Sequence, residues 1–266
     1  MNPFSASSTW DLVADTYEDE IVPAFRTFAG ELLDRVPPGA RAIDVAAGPG
    51  TLSFLAAARG ASVDAIDFSP RMIEQLRARL RAEPTTIVPW VGDGMALPYA
   101  DASFDAGYSQ FGLMFFPDRA RGLHELRRVL KPGARAAITS WAPLAHNAVL
   151  SEVVGWLREL LEAVGQPPAP AATPPMSSHD LCRAELRDTG FREVEVHDLC
   201  APAQFADGPT MIASFVRSSP LFALTKSQLG ARFEAVHEEL TRRASTRFGT
   251  QPVRMEMPAY LTIGAR

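Results

Sequence analysis

The sequence predicts an α/β fold in which helices cover both faces of a mostly parallel β-sheet. Short apolar runs, each suited to a buried strand, alternate with stretches whose apolar residues recur at helical spacing. The first apolar run, over 42–47, leads through a Gly-Pro-Gly turn into a helical stretch, and a second run follows over 63–66. This order is typical of a βαβ unit, whose two strands lie parallel in one sheet.

Length, charge and cysteine content limit the class of protein. The 266 residues are enough for one large α/β domain or for one domain with a cap. The net charge of −5 predicts no nucleic-acid partner. No apolar run approaches the ~20 residues of a membrane span, and the first residues do not have the pattern of a signal peptide. Cys182 and Cys200 lack metal-site spacing, which predicts no metal site and a cytoplasmic location.

The glycine turn after the first strand predicts a ligand site. Gly48 and Gly50 flank Pro49 there, and a Cβ in such a turn would block both the turn and the approach of a ligand to the backbone. Asp67 ends the second strand 19 positions after Gly48. An acid at about this spacing accepts hydrogen bonds from ribose hydroxyls in nucleotide-binding sheets. The stretch predicts a nucleoside cofactor, with a purely structural glycine turn as the alternative.

Two common phosphate-binding motifs are incomplete in this chain. The dinucleotide fingerprint requires a third glycine, and Ser53 stands at that position. A Walker loop requires a terminal Gly-Lys-Ser/Thr sequence, which is absent from the turn. The pattern therefore favours a nucleoside cofactor without a phosphate group.

Four ordered motifs resemble those of the class I S-adenosylmethionine-dependent methyltransferases that act on small molecules. They are acid-x-x-x-Gly-x-Gly beginning at Asp44, DFSPRM beginning at Asp67, GDGMALPYADASFD beginning at Gly92 and LKPG beginning at Leu130. The third motif departs from the family mainly at Gly94, where alanine is usual. The resemblance extends from about Ala42 to Trp141 and is greatest to the ubiquinone and menaquinone C-methyltransferases. It implies a Rossmann-like sheet of seven strands, the last two antiparallel, and S-adenosylmethionine as the cofactor.

The resemblance also implies a set of cofactor contacts. In the family, an aromatic side chain closes over the cofactor, an acid binds the ribose, a methionine packs on the adenine and a second acid accepts from the adenine amino group. Three of these residues have structural alternatives: a ring packed on the sheet edge for Tyr17, a core position for Met72 and a local backbone cap for Asp93. The implied cofactor residues are Tyr17, Asp44, Ala46, Gly48, Gly50, Asp67, Phe68, Met72, Asp93, Gly94, Met95, Ser109 and Gln110.

Methyl transfer needs a base only when the nucleophile must lose a proton, as for a hydroxyl, an ammonium or an enol. His146 follows the fifth strand, on the rim where an acceptor should enter, and is the first candidate. His237, on a helix near the C-terminus, is the second. The acceptor atom, which is oxygen, nitrogen or carbon, stays open, and a phenol, a quinol or a secondary metabolite is favoured.

The chain is expected to form one domain with three parts. Residues 1–40 are predicted to contain an N-terminal lid and the first helix, and residues 41–150 the cofactor-binding core. Residues 151–266 should complete the sheet, with about 50 residues between its last two strands acting as a helical cap that selects the substrate. Two other functions stay open: an NAD(P)-dependent oxidoreductase and a protein that binds S-adenosylmethionine without catalysis.

Overall fold

The computed structural model describes residues 2–166 and 176–266, apart from the side chains of residues 18–22. Within these residues seven strands form one sheet in the order β3-β2-β1-β4-β5-β7-β6. The strands are β1 (Arg41–Val45), β2 (Ser62–Asp67), β3 (Ile87–Val91), β4 (Phe104–Gln110), β5 (Leu130–Trp141), β6 (Arg192–Phe205) and β7 (Val253–Ala265).

Ten α-helices of the described residues connect and cover these strands. They are α1 (Ser7–Asp11), α2 (Ala14–Arg35), α3 (Thr51–Ala58), α4 (Pro70–Ala82), α5 (Arg119–Val129), α6 (Ala148–Ala163), α7 (His179–Asp188), α8 (Gly208–Ser218), α9 (Pro220–Leu229) and α10 (Phe233–Phe248). None of the helices in the described ranges combines the length and the apolar character needed to cross a bilayer.

The strand order confirms the predicted Rossmann-like fold. β1 pairs in parallel with β2 on one side and with β4 on the other, so the order of the strands reverses at β1. In sheets of this kind, the reversal leaves a crevice outside the carboxyl ends of the strands, where ligands bind. β7 pairs antiparallel with both β5 and β6, as the resemblance implied.

Apolar layers cover both faces of the sheet. On one face α2, α3 and α4 bury Leu32, Leu52 and Ile73 in one cluster with side chains of β1, β2 and β4. On the other face α5 and α7 bury Leu126 and Leu186 in one cluster with side chains of β4, β5 and β6. Because both faces of β1, β2 and β4 are covered, these parallel strands are buried almost throughout, whereas the apolar side chains of the edge strand β3 are partly exposed.

Two strands differ from their predicted limits for reasons of backbone geometry. β1 ends at Val45, two residues before the predicted limit, because Ala46 has a φ of +60° and turns the chain out of the sheet. β5 begins at Leu130 rather than Arg135. Its pairing with β4 shifts after Leu130, and Gly133 has a φ of +77°, so the predicted Pro-Gly turn is an irregularity within the strand.

The long connection between β6 and β7 contains α8, α9 and α10, which we call the insert (residues 206–252). β7 pairs with β6 alone over 253–258, beyond its last pair with β5 at Ala259, so the two strands extend as a ribbon past the sheet. The insert packs on this ribbon and on α6 around a core of its own that includes Leu157, Phe222 and Phe233.

Candidate functional site

A cavity of about 410 Å³ lies at the carboxyl ends of β1 to β4. Its wall includes residues that directly follow each of these strands: Ala46, Phe68, Gly92 and Phe111. The volume lies within the ~300–1,000 Å³ of most small-molecule sites. Eleven of the predicted cofactor residues line it: Tyr17, Asp44, Ala46, Gly48, Asp67, Phe68, Met72, Asp93, Gly94, Met95 and Gln110.

Gly50 and Ser109 are not among the lining residues. Gly50 has a φ of +84° and begins α3, and a Cβ on it would lie 2.5 Å from Cδ1 of Leu76. Ser109 is buried, and its Oγ accepts a hydrogen bond from the amide of Leu113 at 3.1 Å. Both residues shape the loops around the cavity instead of facing it.

Asp67 joins the ends of the first two strands. Its Oδ2 accepts a hydrogen bond of 2.8 Å from the amide of Gly48, and its Oδ1 accepts one of 2.8 Å from the amide of Ser69. The carboxyl group is 6% exposed, and burial raises its pKa to about 6 against the effect of these hydrogen bonds. The charge of Asp11, on the N-terminal segment, raises it further.

Asp44 lines this cavity and has one side-chain oxygen without a hydrogen-bond partner among the described residues. Its Oδ2 accepts a hydrogen bond of 2.6 Å from Oγ of Ser53, whereas its buried Oδ1 has no partner among the described residues. Burial raises the pKa of Asp44 to about 7, and the nearby charge of Asp67 also raises it. An orphaned carboxylate oxygen is costly unless a ligand donates to it, so Asp44 fits a cationic ligand group.

Ser53 explains why this turn departs from the dinucleotide fingerprint. It stands at the position of the third glycine, where the fingerprint needs a glycine for close helix–strand packing. Here the Ser53 side chain is fully buried and donates to Asp44. The position is therefore occupied by a polar side chain that orients an acidic group of the cavity.

A second part of the wall follows β2 and β3. Ser69 caps α4 by accepting a hydrogen bond from the amide of Met72, and Met72 is 2% exposed within this wall. Asp93 uses Oδ1 to accept from the amide of Met95 at 2.8 Å, which is the local cap considered as an alternative. Asp93 nevertheless lines the cavity, so the local hydrogen bond and a ligand contact are compatible.

The wall beyond β4 is held by contacts to α2 and β5. Gln110 donates from Nε2 to the carbonyl of Phe25 at 2.8 Å. Phe111 has a φ of +56°, and its ring stacks on Trp141 at 3.8 Å between centroids. A strained non-glycine residue next to a cavity is typical of functional sites, where packing enforces the backbone conformation.

Sequence reasoning missed an aromatic wall supplied by the N-terminal segment and the loop after β4. Phe4, Trp10 and Phe115 line the cavity, and the ring of Phe115 lies 5.2 Å from that of Trp10 and 5.7 Å from that of Phe4. Ser5 fastens the segment by donating from Oγ to the carbonyl of Phe115 at 2.7 Å. The sequence predicted an N-terminal lid with Tyr17 as its aromatic residue, but it did not identify Phe4, Trp10 or Phe115.

Neither histidine predicted as a base lies in the cavity wall. His146 ends the 3₁₀ turn Leu144–His146 after β5 and is exposed. His237 lies on α10 at a separate shallow depression, with its ring near that of Phe233. The described lining contains three aspartates and no lysine, arginine or histidine. The geometry therefore gives no support to His146 or His237 as a base.

Comparison with known proteins agrees with the arrangement of this site. Residues 43–138 match the model of the methyltransferase domain family. This segment is a class I methyltransferase domain. It contains most of β1, all of β2 to β4, most of β5 and all four motifs, from Asp44 through the LKPG sequence that begins at Leu130, together with the cavity residues that follow β1, β2 and β3.

Three proteins illustrate how far the similarity of the methyltransferase domain extends. An uncharacterised protein of Mycobacterium tuberculosis (strain ATCC 25618 / H37Rv) is 39% identical over 40% of this chain and 39% of its own length. A demethylmenaquinone methyltransferase of Corynebacterium efficiens is 36% identical over 53% of this chain and 61% of its own length. The chain thus spans between two fifths and three fifths of these relatives. A Haemonchus contortus phosphoethanolamine N-methyltransferase 2, in complex with phosphomonomethylethanolamine and S-adenosylhomocysteine, superposes with a TM-score of 0.60 at 16% identity, over 100% of this chain and 60% of that chain.

Proposed function

We propose that this protein transfers a methyl group from S-adenosylmethionine to a small, uncharged and largely apolar acceptor. The observation that carries the proposal is the pairing of two acids at one cavity in a methyltransferase domain. Asp67 accepts from the Gly48 amide, and Asp44, which lines the same cavity, has a side-chain oxygen without a partner among the described residues. This pairing suits a ligand that has both ribose hydroxyls and an ammonium group.

Four groups of S-adenosylmethionine have a candidate partner in the cavity. Asp44 would accept from the ammonium group of the methionine part, and Asp67 from the ribose hydroxyls. Met72 would pack against the adenine, and Asp93 would accept from its amino group. When bound, the cofactor supplies a methyl group that its sulfonium centre makes electrophilic, so the protein has mainly to align the acceptor.

The charge of the wall supports an uncharged acceptor. Because the ionisable lining residues are acidic, a phosphate or carboxylate on the acceptor would meet no cationic partner among the described residues. The rings of Phe4, Trp10 and Phe115 supply apolar surface that suits a phenol or a quinol. The similarity to demethylmenaquinone methyltransferases points in the same direction.

Tyr17 is the hydroxyl group best placed to contact such an acceptor. It lines the cavity, and burial together with the charge of Asp67 raises its pKa. The phenol therefore stays protonated at neutral pH and acts as a hydrogen-bond donor, not as a base. A phenol or quinol acceptor must still lose a proton in the reaction, and Tyr17 does not take it.

The first experiment is calorimetric titration with S-adenosylhomocysteine, with NAD and NADP as parallel controls. We expect micromolar binding of S-adenosylhomocysteine alone. Binding of NAD or NADP alone would instead indicate an oxidoreductase, and binding of neither, by a folded protein, would refute the proposal.

The second experiment incubates the protein with S-adenosylmethionine and pairs of acceptors that differ by a single carboxylate. Mass spectrometry should detect methylated products from the neutral phenols and quinols and much less from their carboxylated partners. Cofactor binding without any methylated product over a broad acceptor panel would favour a non-catalytic binding protein.

A further inference from the structure

The insert contributes no described residue to the wall of the cavity. The lining residues lie between Phe4 and Pro117, whereas the insert begins after β6. The expected role of the insert, direct selection of the acceptor, therefore has no contact to support it. The contacts that the insert makes elsewhere suggest a different role.

The insert touches the N-terminal segment, defined here as residues 3–17. This segment supplies Phe4, Trp10 and Tyr17 to the cavity wall. Within it, α1 ends at Asp11 and α2 begins at Ala14, with Val13 at φ −113° and ψ −7° between them. Residues 12–13 separate the two helices and set the orientation of α1 and of the residues before it. We call them the joint.

The insert contacts this joint through α8 and α9. Val13 and Ala14 are 0% and 1% exposed, and they pack in one buried cluster with Ala223 of α9 and Met72 of α4. Thr16 donates from Oγ1 to the carbonyl of Arg217 in α8 at 2.6 Å. Both contacts lie within three residues of the joint, and both come from the insert.

The cofactor-binding core holds the same segment from the other side. Ser69 donates from Oγ to Oδ1 of Asp11 at 2.5 Å. Arg71 and Gln75 of α4 both donate to the carboxylate of Asp15. The segment is thus held by contacts both to α4 and to the insert. α4 carries Met72 of the cavity wall, whereas the insert carries no described lining residue.

From these contacts we propose that the insert positions the N-terminal segment over the cofactor and thereby sets the rate of cofactor exchange. Ala223 and the Arg217 carbonyl act as positioning groups through Val13, Ala14 and Thr16. Because Phe4 and Trp10 form part of the cavity wall, release of a bound cofactor would involve movement of residues 3–12, and this movement would strain the contacts at the joint. The inference rests on the proposed function, since it names the cofactor whose exchange is controlled.

Two pairs of variants test this proposal. Thr16→Val removes the hydrogen bond to Arg217 together with a local one of 3.3 Å to the Val13 carbonyl. Thr246→Val is its control, since it removes a local hydrogen bond to the Arg242 carbonyl within α10 and no described bond to another element. Ala223→Leu overfills the cluster at the joint, and Ala244→Leu overfills the core of the insert away from it. Thr16→Val is a mild surface change that keeps the test valid if the leucine variants fold poorly.

The measurement is the dissociation rate of S-adenosylhomocysteine, followed by stopped-flow tryptophan fluorescence in the full chain, because Trp10 lies in the wall. Loss of the hydrogen bond to Arg217 should speed release about two- to tenfold in Thr16→Val, with Thr246→Val at the wild-type rate. Ala223→Leu should also release faster than Ala244→Leu. Wild-type release rates in both Thr16→Val and Ala223→Leu would overturn the proposal.

Amide hydrogen exchange distinguishes failure of this proposal about the insert from failure of the proposed function. Without any ligand, the amides of residues 4–12 should exchange faster in Thr16→Val than in Thr246→Val, and equal exchange would count against the positioning role. If the wild-type protein binds no S-adenosylhomocysteine, the proposed function fails, whatever the exchange result. If it binds and the variants behave as wild type, only the role of the insert fails.

Discussion

The ring of Phe116 fills the space that a Cβ on Gly94 would occupy. Such a Cβ would lie 2.6 Å from Cζ of Phe116 and 2.8 Å from Cγ1 of Val45. The same ring packs on Gly122, where a Cβ would lie 2.6 Å from its Cδ2. The alanine that the family resemblance implies at position 94 therefore does not fit beside Phe116 and Val45. Phe116 and Gly94 both line the cavity.

Gly94→Ala should therefore displace Phe116 and disturb the cavity wall. Overpacking of this kind costs about 1–3 kcal/mol of stability, and we expect weaker binding of S-adenosylhomocysteine as well. Phe116→Leu in the same chain should restore part of both losses, because it relieves the contact with Phe116 and leaves only the contact with Val45. Thermal melts and calorimetry on the single and double variants test this coupling. A Gly94→Ala protein that melts and binds like the wild type would contradict it.

Asp67→Ala should weaken the binding of S-adenosylhomocysteine by about 1–3 kcal/mol, because a charged hydrogen-bond acceptor is lost. The amides of Gly48 and Ser69 also lose their partner, so the turn should loosen. Asp64→Ala is the matched control: Asp64 lies on the same strand and is 7% exposed, but it pairs with Arg41 outside the cavity wall. Calorimetry should find near wild-type affinity in Asp64→Ala, and equal losses in the two variants would refute a specific role for Asp67.

The sequence predicts most accurately the positions of residues whose geometry is set by their immediate neighbours in the chain. Asp44, Gly48 and Asp67 belong to one βαβ unit, and the strand–turn–helix order places them at one end of the sheet. The limits of β1 were less predictable, because an apolar residue at position 46 does not reveal that its φ is +60°. The fold and the acidic half of the cavity therefore follow from local pattern.

The aromatic half of the cavity depends on contacts between distant parts of the chain. Trp10 meets Phe115 across more than 100 residues, and Phe116 meets Gly94 across 22. Periodicity states which face of a helix is apolar, but it does not identify the partner of that face. For the same reason, the insert could be predicted as helical from its sequence, whereas its contacts with Val13 and Thr16 could not.

His146→Ala should leave both cofactor affinity and turnover within about twofold of the wild type. The sequence placed this histidine at the rim after β5, but the structure leaves it exposed and outside the cavity wall. Surface substitutions away from a site usually have effects within ~0.5 kcal/mol. Steady-state rates with an identified acceptor provide the measurement. A large fall in turnover with unchanged cofactor affinity would restore His146 as the base.

As the pH rises, ionisation of Asp44 should lower the stability of the ligand-free protein and raise the affinity for the cofactor. Its carboxyl group ionises near 3.8 when exposed, but burial raises its pKa to about 7 in the folded protein. Between these values the folded state holds a proton that the unfolded state has lost, so this group lowers the stability of the ligand-free protein as the pH rises toward 7. Above pH 7 the destabilising contribution is constant.

Asp44→Asn tests both effects with a side chain of the same shape. An amide stays neutral, so the ligand-free variant should be more stable than the wild type by about 1–3 kcal/mol at pH 8, and the difference should shrink as the pH falls toward 4.

An ammonium group prefers the ionised carboxylate, so wild-type affinity for S-adenosylhomocysteine should rise as the pH passes from about 6 to about 7.5, and this rise should be smaller in the variant. Thermal melts and calorimetry across this range measure the two effects separately. A variant that binds as tightly as the wild type at pH 8 would show that Asp44 does not contact the ammonium group.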